Sequence, residues 1–286
     1  MLWIFSLIAA LVAPHDIETR GRMPPLSYEL TLSVAYADAT VLMNGMPVLE
    51  IRADAKQTHK LLLNAFLKPA GNVVDITLKP AFPGHEASGA VTVRSYGAGA
   101  GPDSIKTELD RQLTPPVQRV FDFDAPTTPA LAVWTADPKA KLDDAAKDEI
   151  AGVAAAFQRD VIAALKAENA TRLVALFSSY SGNRDAARFL TEEAASMSAA
   201  AMVDDLAPIV TDAQARGIVF APVPAAADLA FRQIDRFVVV SRKDGAAVLG
   251  FMFHGDDGPG GVTIDRPVFG RVDGRWALLQ DLPLPR

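Results

Sequence analysis

The segment from Val41 to Leu78 constrains the fold more than any other part of the chain. It reads VLMNGMPVLE, then a polar run, then KLLLNAFLKPAGNVVDITL. Asn44-Gly45 lies between two apolar runs, and this dipeptide accepts the positive φ angles of a tight β-hairpin turn. A second pair of strands is joined through a Leu-Lys-Pro sequence. Short strands separated by such turn residues predict a β-sandwich.

An alternating pattern begins upstream of this segment. Apolar residues occupy every second position on one side of the pattern: Tyr28, Leu30, Leu32, Val34 and Tyr36. A period of two predicts a half-buried strand with this side in the core. Shorter alternating runs follow at 74–78, 91–93, 120–123 and 131–134, with almost no helical periodicity. The pattern predicts an all-β sandwich domain over residues 24–136.

Two motifs in this region resemble the jelly-roll, galactose-binding-like module that precedes the catalytic barrel of family 2 glycoside hydrolases. The family hairpin V-x-V-N-G-x-x-V is matched at Asn44 and Gly45. The family sequence L-K-P-G-x-N is matched, with Ala70 as an extra residue, at Leu67, Lys68, Pro69, Gly71 and Asn72. The resemblance implies a jelly-roll fold and a sugar-binding module. It carries over no catalytic residue, because the acid and nucleophile of those enzymes lie in the barrel.

Helical periodicity replaces the strand pattern after Pro138. Asp143 or Asp144 can cap a first helix, a second begins near Asn169, and an Ala-rich third runs from about Arg184 until Pro208 interrupts it. Four strands are predicted after the helices, at Ile234–Ser241, Ala247–Phe253, Val262–Phe269 and Trp276–Gln280. Helices followed by an antiparallel meander predict an α+β domain over residues 142–286.

The closing hairpin of this second half, Arg271 to Leu278, is similar to the D-G-x-W-x-L ending of many NTF2-like domains. That resemblance implies helices packed into a strongly curved antiparallel sheet. NTF2-like domains include enzymes and non-enzymes, so the fold alone does not decide the function.

Composition limits the classes of function. The chain has 286 residues, which is typical of about two domains. Its formal net charge is −6, and the basic residues form no stripe with interleaved aromatics, so a nucleic-acid partner is not predicted. The chain has no cysteine, which excludes disulfides, thiol catalysis and a lipidated cysteine.

The first residues predict export. Met1 to Ala13 is an apolar run without charge, too short for a membrane span of ~20 residues but suited to the apolar region of a signal peptide. Residues 1–23 are therefore predicted to be a signal-like or anchor segment, cleaved or retained, and the protein to be periplasmic or otherwise exported. A buried first strand or helix is the alternative, and the usual positive start of a signal peptide is missing.

One cluster carries candidate catalytic chemistry, at His254, Asp256 and Asp257. An imidazole beside two carboxylates could transfer a proton or bind a metal at the mouth of a curved sheet. The alternative interpretation is a strand that ends in a polar turn, because a glycine-rich stretch follows at once. No histidine lies in a zinc-binding spacing, so neither a metal nor a cofactor is predicted.

Aromatic residues supply the candidate binding positions. Phe251, Phe253 and Trp276 would line either a ligand cavity on the concave side of the second sheet or the core of that domain. In the sandwich, stacking on a sugar would need exposed aromatic rings, and the candidates are Phe66, Phe82, Tyr96 and Trp134. Each of these is also interpretable as packing.

Three functions remain open at this point. The favoured one is a non-enzymatic binding protein of the bacterial cell envelope, with a protein partner or a small ligand and membrane contact only through its N-terminal segment. One version of it is a protective partner of a secreted toxin. The second is an NTF2-like lyase, isomerase or hydrolase with His254 or Asp256 as base. The third is carbohydrate recognition by the sandwich.

Overall fold

The computed structural model describes residues 26–68, 71–97, 105–123, 136–137, 139–177, 192–213, 215–255 and 258–282. The chain separates into two compact units, whose described residues lie within 26–123 and within 136–282. Most of the described structure is antiparallel β-sheet, and the helices belong to the second unit. Whether each unit folds as an independent domain stays a prediction.

Eight strands are present in the part of the first unit that the structure describes. They are β1 (Leu26–Ala35), β2 (Ala37–Met43), β3 (Met46–Ala53), β4 (Gln57–Leu62), β5 (Asn72–Pro80), β6 (Ser88–Gly97), β7 (Lys106–Leu113) and β8 (Val117–Phe123). They pair into one four-stranded sheet of order β4-β1-β6-β7 and a second of order β3-β2-β5-β8. Each connection between β3 and β6 crosses from one sheet to the other.

The two sheets pack face to face as a β-sandwich. In β5 the alternate side chains Val74, Ile76 and Leu78 are fully buried, and the residues between them are partly exposed. The rings of Tyr28 in β1 and Phe123 in β8 lie 5.8 Å apart, which joins one sheet to the other. This antiparallel arrangement is compatible with the predicted β-sandwich.

The residues that carry the jelly-roll resemblance contact one another. Asn44 and Gly45 have φ angles of 53° and 83°, which confirms the predicted tight turn. The buried Asn44 amide donates to Phe66 O at 2.7 Å and to Asn72 Oδ1 at 3.0 Å, and its own oxygen accepts from Val73 N at 2.9 Å. Since buried polar groups need such partners, both asparagines stabilise the fold of the two motifs.

Tyr36 departs from the alternating pattern. Strand β1 ends at Ala35, and Tyr36 turns the chain into β2 with a φ angle of 54°. Tyr28, Leu30 and Val34 are buried as predicted, whereas Tyr36 is half-buried. Its predicted place in the core is wrong, because a turn follows the strand one residue earlier than the pattern indicates.

The described residues of the second unit form three helices and seven strands. The helices are α1 (Asp144–Lys166), α2 (170–177) and α3 (Glu192–Thr211). The strands are β9 (Val219–Phe220), β10 (Leu229–Ile234), β11 (Phe237–Arg242), β12 (Leu249–Gly255), β13 (Gly258–Ile264), β14 (Arg266–Val272) and β15 (Arg275–Leu282). One sheet has the order β10-β11-β14-β15, and the other has the order β13-β12-β9.

The chain passes from one of these sheets to the other at Asp265. Strand β13 pairs with β12, whereas β14, which begins at the next residue, pairs with β11 and β15. Nearly continuous strand therefore runs through both sheets, as expected of a bent antiparallel layer. Together with the helices, this confirms the α+β character of the second half.

The predicted helix signals are partly confirmed. The Asp143 side chain accepts from Ala146 N at 2.8 Å, so it caps α1 as predicted. Pro208 was predicted to interrupt the third helix, but α3 continues through it to Thr211. The predicted start of that helix at Arg184 lies outside the described residues. Among the described helices, none is long and apolar enough to cross a membrane.

Helix α1 packs against strands β12 and β15. Its apolar face, which includes Ile150 and Val161, belongs to one buried cluster with residues of both sheets. The fully buried Gln158 side chain donates to Gly250 O at 3.0 Å and to Ala221 O at 2.8 Å, and it accepts from Gly250 N at 2.7 Å. Three hydrogen bonds of one buried side chain therefore attach α1 to the central strand β12 and to the residue that follows β9.

Candidate functional site

His254 lies on β12, opposite Pro259 of β13, and its side chain is exposed. Its neighbours Phe251 and Phe253 are buried, and successive side chains of a strand point to opposite faces. The imidazole therefore lies on the sheet face opposite the core that contains α1. The predicted partners Asp256 and Asp257 lie outside the described residues.

The three aromatic candidates of the second unit are core residues. Phe251, Phe253 and Trp276 are all buried, and they belong to the same hydrophobic cluster as the apolar face of α1. Trp276 is further held through its backbone N–H, which donates to Glu149 Oε1 at 3.2 Å. These contacts give the three side chains a packing role in this structure.

A group of buried charges surrounds the bend at Asp265. Asp265 and Arg266 are both buried, and Arg266 N donates to Asp281 Oδ1 at 3.1 Å. The pKa of the Asp281 carboxyl is raised to about 7, chiefly by burial and also by the nearby charge of Asp265. Two kinds of interaction lower this pKa: hydrogen bonds from the backbone of Arg266 and Asp265, and the positive charge of Arg266. A signal for this group exists in the sequence, since Asp265-Arg266 interrupts an otherwise apolar run.

Within the described ranges, no group of three or more histidine, aspartate and glutamate side chains is arranged to hold a metal ion. Asp122 of β8 is exposed, as expected for the outer side of an edge strand, and its sequence neighbour Asp124 lies outside the described residues. Of the sandwich candidates, Phe66 is buried, Tyr96 is half-buried, and Trp134 lies outside the described residues.

The sandwich does bring aromatic and charged side chains together at one end of the β3-β2-β5 sheet. The Tyr36 and His85 rings stack with centroids 4.4 Å apart and an angle of 20° between their planes. The Arg52 guanidinium lies 5.5 Å from the centre of the Phe82 ring, and its Nε lies 3.8 Å from Asp38 Oδ1. We refer to Tyr36, Asp38, Arg52, Phe82 and His85 as the Tyr36 cluster.

Strand register explains why these residues meet. Ala37 pairs with Ala53 on one side and with Pro80 on the other, so the start of β2 lies beside the ends of β3 and β5. The loop after β5 then returns to this end, because Ala81 N donates to Tyr36 O at 3.1 Å. A turn closed by the hydrogen bond from His85 N to Phe82 O, at 3.3 Å, places both rings on the same short loop.

The side chains of the Tyr36 cluster are partly or fully exposed to solvent. His85 is exposed, Tyr36 and Phe82 are half-buried, and 61% of the Arg52 side chain and 50% of the Asp38 side chain are exposed. An ion pair with this exposure contributes little to stability. The sequence identifies Phe82 as a candidate binding residue but assigns Tyr36 to the core, because Tyr36 continues the alternation of buried residues in β1.

Comparisons with known proteins add no relative, since no protein-family model, curated protein or solved structure matches this chain. The function must therefore be inferred from the chain itself.

Proposed function

We propose that this chain is a non-enzymatic binding protein of the bacterial cell envelope and that its ligand or partner docks on the Tyr36 cluster. The observation that carries the proposal is that two half-buried aromatic rings, an exposed imidazole and two partly exposed opposite charges lie at one end of the sandwich. In the second unit, by contrast, the aromatic candidates are packed in the core.

The finer fold assignment belongs to the same proposal. We propose a jelly-roll sugar-binding module for the first unit. Support comes from two strand pairs in opposite sheets, β1 with β6 and β2 with β5, because the second pair lies inside the first along the chain. We propose an NTF2-like fold for the second unit, and support comes from α1 packed against a bent sheet. The apolar run Met1 to Ala13, which lies outside the described residues, is the basis for proposing export. Protection of a cell from a secreted toxin is one specific form of this binding role.

The proposal is tested by retention of envelope components on the immobilised full chain. Proteins and glycans retained from a solubilised envelope extract are quantified for the wild type and for Arg52→Glu, which reverses one exposed charge of the Tyr36 cluster. Arg111→Glu is the matched control, because Arg111 is also an exposed arginine of a sandwich strand. We expect at least tenfold weaker retention with Arg52→Glu and unchanged retention with Arg111→Glu.

Two results would count against this function. Equal retention by the wild type and Arg52→Glu would exclude the Tyr36 cluster as the binding surface. Conversion of an extract component by the wild type, lost in His254→Ala, would favour the enzyme alternative.

A further inference from the structure

The outer face of the sheet β3-β2-β5-β8 has an uneven distribution of charge. Its outward side chains form rows across the strands, and the row nearest the Tyr36 cluster contains Arg52, Asp38 and Lys79. In the rows beyond it, the described outward positions of the four strands include no basic residue and three acidic ones: Glu50, Asp75 and Asp122. These rows therefore present negative charge.

Apolar side chains surround Asp75 on this face. Leu42 of β2 and Val120 of β8 lie directly opposite it on its two sides, and Val73 precedes it by two positions on the same strand. Side chains in such opposite positions have Cβ atoms about 5 Å apart. Leu42 and Val73 are half-buried, whereas Val120 is 58% exposed. The carboxylate thus lies within an apolar patch that solvent reaches.

Gln118 holds the Asp75 carboxylate in place. Its Nε2 donates to Asp75 Oδ1 at 3.2 Å and to Asp75 Oδ2 at 2.9 Å. An ionised carboxylate has about four positions that accept hydrogen bonds, and one amide NH₂ group supplies two hydrogens. The oriented carboxylate can therefore accept further hydrogen bonds from a partner.

This arrangement selects the chemistry of the partner. A lysine or arginine side chain has an aliphatic stem, which packs on apolar surface, and a charged end, which donates to a carboxylate. Leu42, Val73 and Val120 match the stem, and Asp75 matches the charged end. A purely apolar partner would bury the Asp75 charge without an opposite charge, which is costly. An acidic partner would be repelled.

The extent of the surface indicates a protein rather than a single small cation. Glu50 lies on β3, Asp75 on β5 and Asp122 on β8, so the acidic positions extend across the sheet. Three spacings between neighbouring strands amount to about 14 Å. Several basic groups held on one surface are needed to match all three carboxylates, and arginine is enriched among the residues that dominate protein interfaces.

We propose that this part of the sheet is a docking surface for a protein partner that presents arginine or lysine side chains among apolar ones. We call it the acidic face, and it comprises Leu42, Glu50, Val73, Asp75, Val120 and Asp122. One basic side chain of the partner lies over the apolar patch and pairs with Asp75.

The acidic face is separate from the Tyr36 cluster. Strand β2 begins beside that cluster at Ala37 and reaches the acidic face at Leu42, five positions later, which corresponds to about 17 Å along the strand. The inference therefore adds a second binding surface and does not rest on the ligand of the first.

The test is fluorescence anisotropy with the full chain and a short labelled peptide in which arginine and valine alternate. We expect this peptide to bind the wild type, and Asp75→Asn to bind it at least fivefold more weakly. Asp110→Asn is the matched control, because Asp110 is an exposed carboxylate of β7 in the other sheet. It should bind the peptide as the wild type does.

The apolar part of the surface is tested separately. Val120→Ser replaces an exposed side chain and should keep the melting temperature while weakening binding at least threefold. A second peptide, in which arginine and glycine alternate, should bind the wild type at least threefold more weakly than the first. Asp122→Asn, also at an exposed position, is a further variant that should fold normally and bind more weakly, should Asp75→Asn be unstable.

Three results would overturn the proposal. They are no binding of the arginine–valine peptide, an equal loss of binding in Asp75→Asn and Asp110→Asn, or equal affinity for the two peptides, which would indicate unspecific attraction between charges. Arg52→Glu should bind the arginine–valine peptide at least as tightly as the wild type does, because it adds negative charge. Loss of envelope retention in Arg52→Glu therefore tests the Tyr36 cluster alone, and the peptide assay tests the acidic face alone.

Discussion

Replacing Asp281 with asparagine should make the second unit more stable at neutral pH and less sensitive to pH. The folded protein raises the pKa of this carboxyl to about 7, chiefly by burial, from a value near 4 in the unfolded chain. Between these two values the folded state holds a proton that the unfolded state has released. Stability is therefore greatest below about pH 4, falls as the pH rises, and reaches its lower level above about pH 7.

The size of the effect follows from the shift. One pKa unit corresponds to about 1.4 kcal/mol, so a shift of about three units sets a ceiling near 4 kcal/mol. Entry of water and small rearrangements around a buried charge reduce such penalties. We therefore expect the wild type to lose about 2 kcal/mol of unfolding free energy between pH 5 and pH 8.

Urea unfolding at pH 5 and pH 8, followed by the helical signal at 222 nm, measures this difference, because the described helices belong to the second unit. Asp281→Asn keeps the oxygen that accepts from Arg266 N but cannot ionise. Asp244→Asn is the control: its carboxyl has a pKa lowered to about 2 by the Arg242 side chain, so it stays charged over this range. Equal pH dependence in the wild type and Asp281→Asn would refute the reasoning.

Four further predictions concern folding. Gly45→Val should lower the unfolding free energy by about 1–2 kcal/mol in urea titrations, because a β-branched residue cannot adopt a φ angle of 83° without strain, whereas a neutral result would contradict the hairpin geometry. Gln158→Ala should lower it by about 2–4 kcal/mol, since Gly250 and its neighbours lose three buried hydrogen bonds, and a change below about 1 kcal/mol would exclude this role. His254→Ala should change it by less than about 0.5 kcal/mol, as for an ordinary exposed side chain, and a larger loss would show that the imidazole stabilises the fold. Limited proteolysis between residues 134 and 143 should leave two folded fragments, and unfolding of both after one cut would show that the units are not independent domains.

Features that depend on neighbouring residues could be predicted from the sequence. The hairpin at Asn44-Gly45 and the buried side of β1 each follow from a local preference, either for positive φ or for alternation. The cap at Asp143 is local in the same sense. These signals suffice for a sandwich followed by helices and an antiparallel meander.

The contact between the charged residues at the bend could not be predicted in this way. Asp281 and Arg266 are 15 positions apart, and they meet only because β15 pairs with the strand that begins after Asp265. The pKa of Asp281 depends on that burial, so no pattern of neighbouring residues reveals it. The same holds for the stack of Tyr36 and His85, which requires the register of β2 with β5 and the return of the following loop.

The motifs that resemble a known module are poor guides to the binding residues for a physical reason. The Asn44 side chain donates to Asn72 Oδ1, and both side chains also bond to the adjacent backbone, so their polar groups are already used within the fold. A ligand needs side chains that folding leaves accessible. Residues follow local backbone preferences where only stability matters, and departures from these preferences are expected at functional sites. Tyr36, an aromatic residue in a left-handed turn with its ring half-buried, breaks such a rule, and this is one reason for our proposal that the Tyr36 cluster is a binding surface.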